Sequence, residues 1–341
     1  MDRRLILAVA DSGKTRFLIN HLNLEKRFLI VTYTTNNYRN IKSRIIKKFG
    51  YLPQNISVRT YYSFLLNFCY KPFFHHKLRE HGVTWQNPPD FTRYKSDWQH
   101  YMSSKFYLYS NRLAKLCQFE KNLIRERLCR YYDCFCFDEV QDLAGYDFDF
   151  VLSIIPQNRD VLFVGDFFQH TFDTSRDGSK NSSLYENLKG YCKRWRGVLP
   201  IDMSSLKESY RCPKTVCDFV KINLGVDILS SSSENGSISF LSEETDIERI
   251  VLDNNIPKLF YKNSVKYDCY SMNWGASKGL DDFVDVCVVL NKTTYKLYEK
   301  HNFDKMEEST RNKFYVACTR TKRNLYFIAE EKLKKYRREN S

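Results

Sequence analysis

Gly13-Lys14-Thr15 lie inside the stretch LILAVADSGKTRFLI, where an apolar run gives way to a small-residue turn and then to a helix-like segment. A strand, a tight turn and a lysine at the start of a helix place several backbone N–H groups around one anion, and the helix N-terminus adds its positive partial charge. In such a loop Ser12 and Gly13 lend the cradle, Lys14 neutralises the outer phosphates of a triphosphate, and Thr15 offers a hydroxyl to Mg²⁺. A second chemical group closes the run CFCFDEVQD, where Asp138 and Glu139 follow an apolar strand. One carboxylate there can hold the Mg²⁺ shell, with Thr15, while the other orients or deprotonates an attacking water; the bland reading is a capped helix start. The run VLFVGDFFQ ends in Gly165-Asp166 and supplies Gln169, a neutral side chain able to sense a terminal phosphate.

These residues need strands to carry them. LILAVA, RFLIVTY, NISVRT, YDCFCFDE and DVLFVGD are short apolar or alternating runs, several followed by helix-like segments, which predicts a parallel sheet covered on both faces. In such sheets ligands gather at the carboxyl ends of the strands. A second series, GSISFL, KLFYK, DVCVVL and NLYFIA, begins after Leu206, and the turn-rich SSSSENGS reads as a loop inside it. Between the early strands lies a basic and aromatic region at about 70–130, centred on YKSDWQHYMSSKFYLYSNRLAKL. Interleaved cations and rings suit single-stranded nucleic acid, and equally suit a small helical insertion whose aromatics form its core. The tail EEKLKKYRREN reads as a solvated helix end.

Composition narrows the partners. With 54 Lys+Arg against 40 Asp+Glu the chain carries a formal charge of +14, and 16% of its residues are aromatic. A surface of that sign attracts polyanions, nucleic acid first. There is no long uncharged apolar run and no signal-peptide pattern, so a membrane is not expected and the expected location is cytoplasmic. Eleven cysteines, odd in number and without a CxxC pair, argue against a disulfide framework or a zinc ribbon, and Cys134 and Cys136 read as buried strand thiols.

Taken in order, the motifs resemble the UvrD/Rep-type superfamily 1 helicases. AVADSGKTR looks like their first motif, VTYTTNNYRNIKSRI like the Thr-Phe-Thr-Asn segment and VRTYYSF like the Thr-Phe-His-Ser segment. FDEVQD resembles the Asp-Glu-x-Gln-Asp box and VGDFFQHTFD the Gly-Asp-x-x-Gln motif. LKESYRCP, GASKGLDDFVDVCVVL and FYVACTRTKRNLYFI are similar to the Asn-Tyr-Arg-Ser, Lys-Gly-Leu-Glu-Phe and Tyr-Val-Ala-x-Thr-Arg motifs. Any one could arise by chance; eight in the family's order carry the resemblance over nearly the whole chain.

The resemblance implies an α/β fold of two RecA-like parallel-sheet domains, a P-loop NTPase core with residues 1–204 in the first domain, the insertion at about 70–130 within it, and residues 205–341 in the second. It implies ATP and Mg²⁺ as cofactors, with Lys14, Asp138, Glu139, Gln169, Arg211 and Arg320 as the catalytic set, the two arginines acting as fingers on the transferred phosphoryl group. Arg16 and Tyr210 would flank the adenine, and Gly279 and Asp281 belong to the nucleotide set, Asp281 at the ribose-binding position. Tyr33, Thr34, Thr60, Tyr62 and Phe172 would contact single-stranded or tailed DNA, by stacking and by backbone contacts that tolerate any base. The implied activity is that of an ATP-dependent 3′ to 5′ translocase or helicase. The alternative is a UvrD-like ATPase subunit that serves a partner nuclease of the OLD-family type, as in Gabija-type anti-phage systems.

The chain departs from the family pattern in ways with physical content. Val9 and Asp11 stand where the phosphate loop has glycines, and a carboxylate there repels a triphosphate unless it points away or is offset by a cation. Thr174 replaces a stacking Trp, and with the first strand run, LILAVA, opening at Leu5 the adenine-reading segment that precedes it in the family is not expected. Only about sixty residues separate ESYRCP from GASKGL, too few for the family's large accessory subdomain.

Overall fold

The computed structural model describes residues 2–89, 94, 97–171 and 177–338. The chain divides into two compact units, the first comprising residues 2–7, 14–165 and 177–202 and the second residues 8–13, 166–171 and 203–338.

The strands of the first unit are β1 (Arg3–Leu7), β2 (Phe28–Thr32), β3 (Ile56–Thr60), β4 (Gly82–Thr84), β5 (Tyr107–Tyr109), β6 (Cys134–Asp138), β7 (Asp160–Gly165) and β8 (Ile201–Asp202). Six of them form one sheet in the order β3-β2-β6-β7-β1-β8. Every pairing in it is parallel. β2, β6 and β7 are buried at every position, the signature of strands covered on both faces, which is why they read as continuous apolar runs. The register sets Thr32 beside both Thr60 and Asp138, Asp138 beside Val164, and Gly165 beside Leu7, so the carboxyl ends of these strands lie in one row. Gly165 is obligatory in that row: a Cβ there would come within 2.5 Å of Gln141 Oε1 and 2.7 Å of the Val140 side chain.

The aromatic region at about 70–130 is a small insertion with an aromatic core and further rings at its surface. It begins in the wide-turn helix Phe64–His75, continues through the small parallel pair β4 and β5, and ends in the helices Leu113–Cys117 and Lys121–Tyr131. Tyr70, Phe74, Tyr101 and Tyr109 are buried and form its core, whereas Trp85, Trp98, Phe106 and Phe119 stay exposed.

The second unit contains β9 (Glu208–Ser209), β10 (Leu229–Ser230), β11 (Ile238–Phe240), β12 (Lys258–Phe260), β13 (Ser271–Asn273), β14 (Val286–Leu290) and β15 (Leu325–Ala329). β9 and β10 pair with each other, and the remaining five make a sheet in the order β11-β15-β14-β12-β13, again wholly parallel. Its core gathers Trp274, Phe314 and Phe327, with the Trp274 indole donating to the Leu259 carbonyl at 2.8 Å. The helix Glu308–Cys318 buries Asn312 and every residue from Phe314 to Cys318.

Strands beyond those expected are present: Ser271–Asn273 and the two-residue strands are too short to show a period in sequence, yet they pair. The tail is not simply solvated: Leu333 is buried, and Arg337 donates to the Tyr267 hydroxyl. All eleven cysteines are free thiols, and Cys134 and Cys136 are buried on β6 with sulfurs 3.6 Å apart. Among the described residues no helix is long and apolar enough to cross a membrane.

Candidate nucleotide and nucleic-acid sites

In the first unit Lys14 and Thr15 open the helix Lys14–His21, and Asp138 ends β6. The Thr15 hydroxyl donates to Asp138 Oδ2 at 3.1 Å, and Asp138 Oδ1 is buried with no hydrogen-bond partner. Burial first, and the neighbouring Glu139 charge second, push the Asp138 carboxyl up to about 7, against the opposing pull of Lys14 and the Thr15 hydroxyl. A hydroxyl beside a buried carboxylate oxygen that lacks a partner is a fitting donor set for a hard divalent cation such as Mg²⁺. Thr32, next to Asp138 in the register, is also buried with an unpartnered hydroxyl; nothing in its sequence context marked it.

Glu139 takes a left-handed conformation, φ 60°, as the chain turns from β6 into the short helical turn Val140–Asp142. That conformation is uncommon outside glycine. The Gln141 amide donates to its carboxylate, and Gln141 itself is wholly buried. Gln141 was visible within FDEVQD as part of the box, but its role in holding Glu139 follows only from the folded turn. Arg16 is exposed on the first turn of the same helix as Lys14.

The ionisation of Asp138 has a consequence for stability without metal. The folded protein keeps this proton up to about pH 7, whereas the unfolded chain releases it near the ordinary carboxyl value of 3.8. Between those values the native state binds more protons, so this group makes stability fall as pH rises, and above about 7 the cost of the buried charge is fully present. Asp138→Asn should therefore melt at a higher temperature than the parent in chelator at pH 8, by about 1 kcal/mol or more in stability, with the gap closing towards pH 5. Thermal melts across that range check it; a gap independent of pH would contradict the assignment.

In the second unit the loop residues 8–13 are fixed from several sides. The Ser12 hydroxyl donates to the Val9 carbonyl at 2.9 Å, Val9 N donates to the Leu206 carbonyl at 3.0 Å, and Gly13 has φ 81°. Ala10 N donates to the Tyr315 hydroxyl at 2.8 Å, and that hydroxyl donates to Asp166 Oδ2 at 3.0 Å. Tyr315 is wholly buried, which holds its phenol well above its ordinary value and keeps it a donor. In the sequence its place inside FYVACTRTKRNLYFI is the only signal of this role. Gln169 is buried at the end of the turn that Asp166 begins.

Arg211 and Arg320 come together here. Arg211 Nη2 reaches Asp11 at 3.0 Å and Asp281 at 2.6 Å, and its Nη1 donates to the Thr319 carbonyl at 3.2 Å. Arg320 donates through Nε to the Val316 carbonyl at 3.1 Å and through Nη1 to the Leu280 carbonyl at 3.3 Å, with Asp281 at 3.5 Å. Burial, and then the charge of Arg211, lower the Arg320 pKa from its ordinary value, and Asp281 opposes them. Asp281, expected at the ribose, is thus engaged by both guanidiniums. Tyr210 is exposed beside a recess of about 240 Å³ that Asp11, Arg211, Asp281 and Lys322 also line. Gly279 is exposed, at φ 81°, with open space where a Cβ would stand.

The residues expected to meet nucleic acid follow two adjacent strands of the first unit. Tyr33 stacks on Tyr61 with ring centroids 5.8 Å apart, and Tyr62 packs against the exposed Trp85 at 5.0 Å. Thr34 and Thr60 each have a structural task as well, accepting from Asn37 N at 3.1 Å and Ser63 N at 3.2 Å to cap the helices that follow. Beside Thr60 a recess of about 330 Å³ is lined by Tyr38, Lys42, Ser57, Arg59 and Ser63, a cationic and hydroxyl-bearing wall suited to phosphate oxygens. Phe172 and Thr174 lie outside the described residues.

Residues 102–329 match the family model of the viral superfamily 1 RNA helicase core domain. Comparison with curated protein sequences gave no significant match. Among solved structures the chain is similar to an arterivirus nonstructural protein 10 (helicase) in complex with DNA, with a TM-score of 0.51 and 14% identity over 96% of this chain and 60% of that one. It is similar also to the crystal structure of arterivirus nonstructural protein 10 (helicase), with a TM-score of 0.51 and 13% identity over 97% of this chain and 62% of that one. The chain therefore spans about 60% of the length of these structures. At such identities the likeness concerns the fold, and it agrees with the α/β parallel-sheet core expected.

Proposed function

The chain belongs to the family of viral superfamily 1 RNA helicase core domains, and from that premise we propose that it hydrolyses ATP to move along, or unwind, single-stranded or tailed nucleic acid. The observation that carries the reading is the Thr15 hydroxyl on Asp138, 3.1 Å away, with the second Asp138 oxygen buried and unpartnered beside the charge of Lys14. Thr15 and Asp138 would hold Mg²⁺, whose chemistry at such a site is to neutralise charge on phosphate oxygens. Lys14 binds the outer phosphates with the backbone of Ser12 and Gly13. Glu139, steadied by Gln141, takes the proton of the attacking water, and Gln169 senses the terminal phosphate. Arg211 and Arg320 stabilise the charge that develops on the transferred group. Arg16 and Tyr210 flank the base, and Gly279 and Asp281 complete the nucleotide set.

On the nucleic-acid side Tyr33 and Tyr62 supply stacking faces, with Phe172 as a further ring, and Thr34 and Thr60 meet the backbone. The family description names RNA and one arterivirus structure was solved with DNA, and stacking with phosphate contact serves both. The UvrD/Rep-like order of the motifs implies 3′ to 5′ movement. The alternative, an ATPase subunit that powers a partner nuclease in an anti-phage or repair complex, draws on the short stretch between ESYRCP and GASKGL.

ATP turnover measured alone, with single-stranded DNA and with single-stranded RNA tests the proposal, together with strand displacement on duplexes tailed at 3′ or 5′. Stimulation by single strands that Lys14→Ala abolishes is expected. Turnover unaffected by either nucleic acid would remove the motor, displacement from 5′ tails alone would reverse the polarity, and stimulation only after a nuclease is added would favour the alternative.

A further inference from the structure

Asp11 stands where the resembling family has a glycine, and the fold gives it a specific task. It adopts φ 53°, a left-handed conformation that aspartate tolerates better than most residues. Its carbonyl accepts from Tyr210 N at 3.1 Å, and its carboxylate accepts from Arg211 Nη2 at 3.0 Å. Asp281 takes the same Nη2 at 2.6 Å and Arg320 Nη1 at 3.5 Å, so two guanidiniums and two carboxylates form one neutral set. The order from inside outwards matters: the side chains of Arg211 and Arg320 are 4% and 3% exposed, those of Asp11 and Asp281 33% and 61%. The carboxylates lie at the open side, along the recess shared with Tyr210 and Lys322. An anion arriving there meets the acids first and reaches Arg211 only by displacing one.

We propose that Asp11 is a positioning residue that holds Arg211 in the nucleotide-free protein and yields it to phosphate oxygens when a triphosphate binds. Asp11 is the partner that gives way, because its pair with Arg211, at 3.0 Å, is longer than the 2.6 Å pair of Asp281. Arg211 keeps its orientation through the Thr319 carbonyl and Asp281 during the exchange. The glycine of the resembling loop has no side chain with which to do this, so the exchange is a property of this sequence. The inference rests on the nucleotide reading above, since it concerns the arginine assigned there to phosphate.

The consequence is a cost on nucleotide affinity that acts through Arg211. Asp11→Asn should tighten binding of the Mg²⁺ complex of a non-hydrolysable ATP analogue about fivefold, the size of one partly exposed ion pair. A merely structural aspartate would do the opposite on removal, weakening affinity together with the melting temperature. The same substitution on Arg211→Gln, or on Arg211→Met should the first variant not fold, should add nothing, because no guanidinium remains to be released. Calorimetric titration of the four proteins measures both steps. A gain of equal size without Arg211 would overturn the proposal in favour of direct repulsion between Asp11 and phosphate. Unchanged affinity in Asp11→Asn, with Lys14→Ala abolishing binding, would overturn it while leaving the nucleotide reading intact. Absence of binding by the parent protein would instead remove the nucleotide reading itself.

Discussion

Glu139→Gln should lower ATP turnover by about 10²-fold to 10⁴-fold while the protein still binds nucleotide. The substitution keeps the shape of the side chain and removes the group that can accept a proton from water. Its position is set by the backbone, φ 60° at the end of β6, and by the Gln141 amide that donates to the carboxylate. The variant also carries a second, opposite effect. The Glu139 charge raises the Asp138 pKa, so its removal should make Asp138 ionise more easily and lower the concentration of Mg²⁺ needed for nucleotide binding. Turnover in the steady state, with a Mg²⁺ titration of analogue binding, reads both. Turnover within tenfold of the parent would remove Glu139 from the proton-transfer role, and a raised Mg²⁺ requirement would show that Glu139 helps to hold the ion instead.

Arg320→Ala should cost about 10³-fold or more in kcat, with a much smaller change in KM. The guanidinium is pre-oriented: two carbonyls, Val316 and Leu280, hold its Nε and Nη1, and Asp281 stands at 3.5 Å. A charge fixed in a buried setting needs no reorganisation when charge develops on a phosphoryl group, so in the proposed role its loss should fall on the transition state rather than on binding. Arg320→Lys should recover little, because one ammonium cannot meet both carbonyls and still present a planar fork to phosphate. Removing the arginine leaves Asp281 without one cation, but that side chain is 61% exposed and retains Arg211, so the fold should survive. Single-turnover kinetics with thermal melts separate the cases. A lysine variant that turns over at near the parent rate would reduce Arg320 to a point charge, and a KM rise with kcat unchanged would place it in ground-state binding.

The motifs that lie within a few residues of one another were legible because their chemistry is local. A small-residue turn followed by a lysine at a helix start is a local pattern, and Gly13-Lys14-Thr15 state it directly. The strands β2, β6 and β7 were legible for a different reason: buried on both faces, they tolerate little but apolar residues, and the run itself marks the strand. Short strands such as Ser271–Asn273 carry too few residues for any period to emerge and exist because a neighbouring strand offers hydrogen bonds. The aromatic region could not be divided in advance, because a ring looks the same in sequence whether it is buried, as Tyr101 is, or exposed, as Trp85 is.

By itself, then, the sequence determined the parallel α/β class, the order of the motifs and the chemical types available at the strand ends. Tertiary structure alone decided which of them meet. The Thr15 hydroxyl on Asp138 spans 123 positions, the Tyr315 hydroxyl on Ala10 spans 305 and Arg211 on Asp11 spans 200. Hydrogen bonds and ion pairs act over about 3 Å in space and carry no trace along the chain, so whether the Asp11 carboxylate stands alone or meets an arginine is fixed only when the fold brings the cation to it.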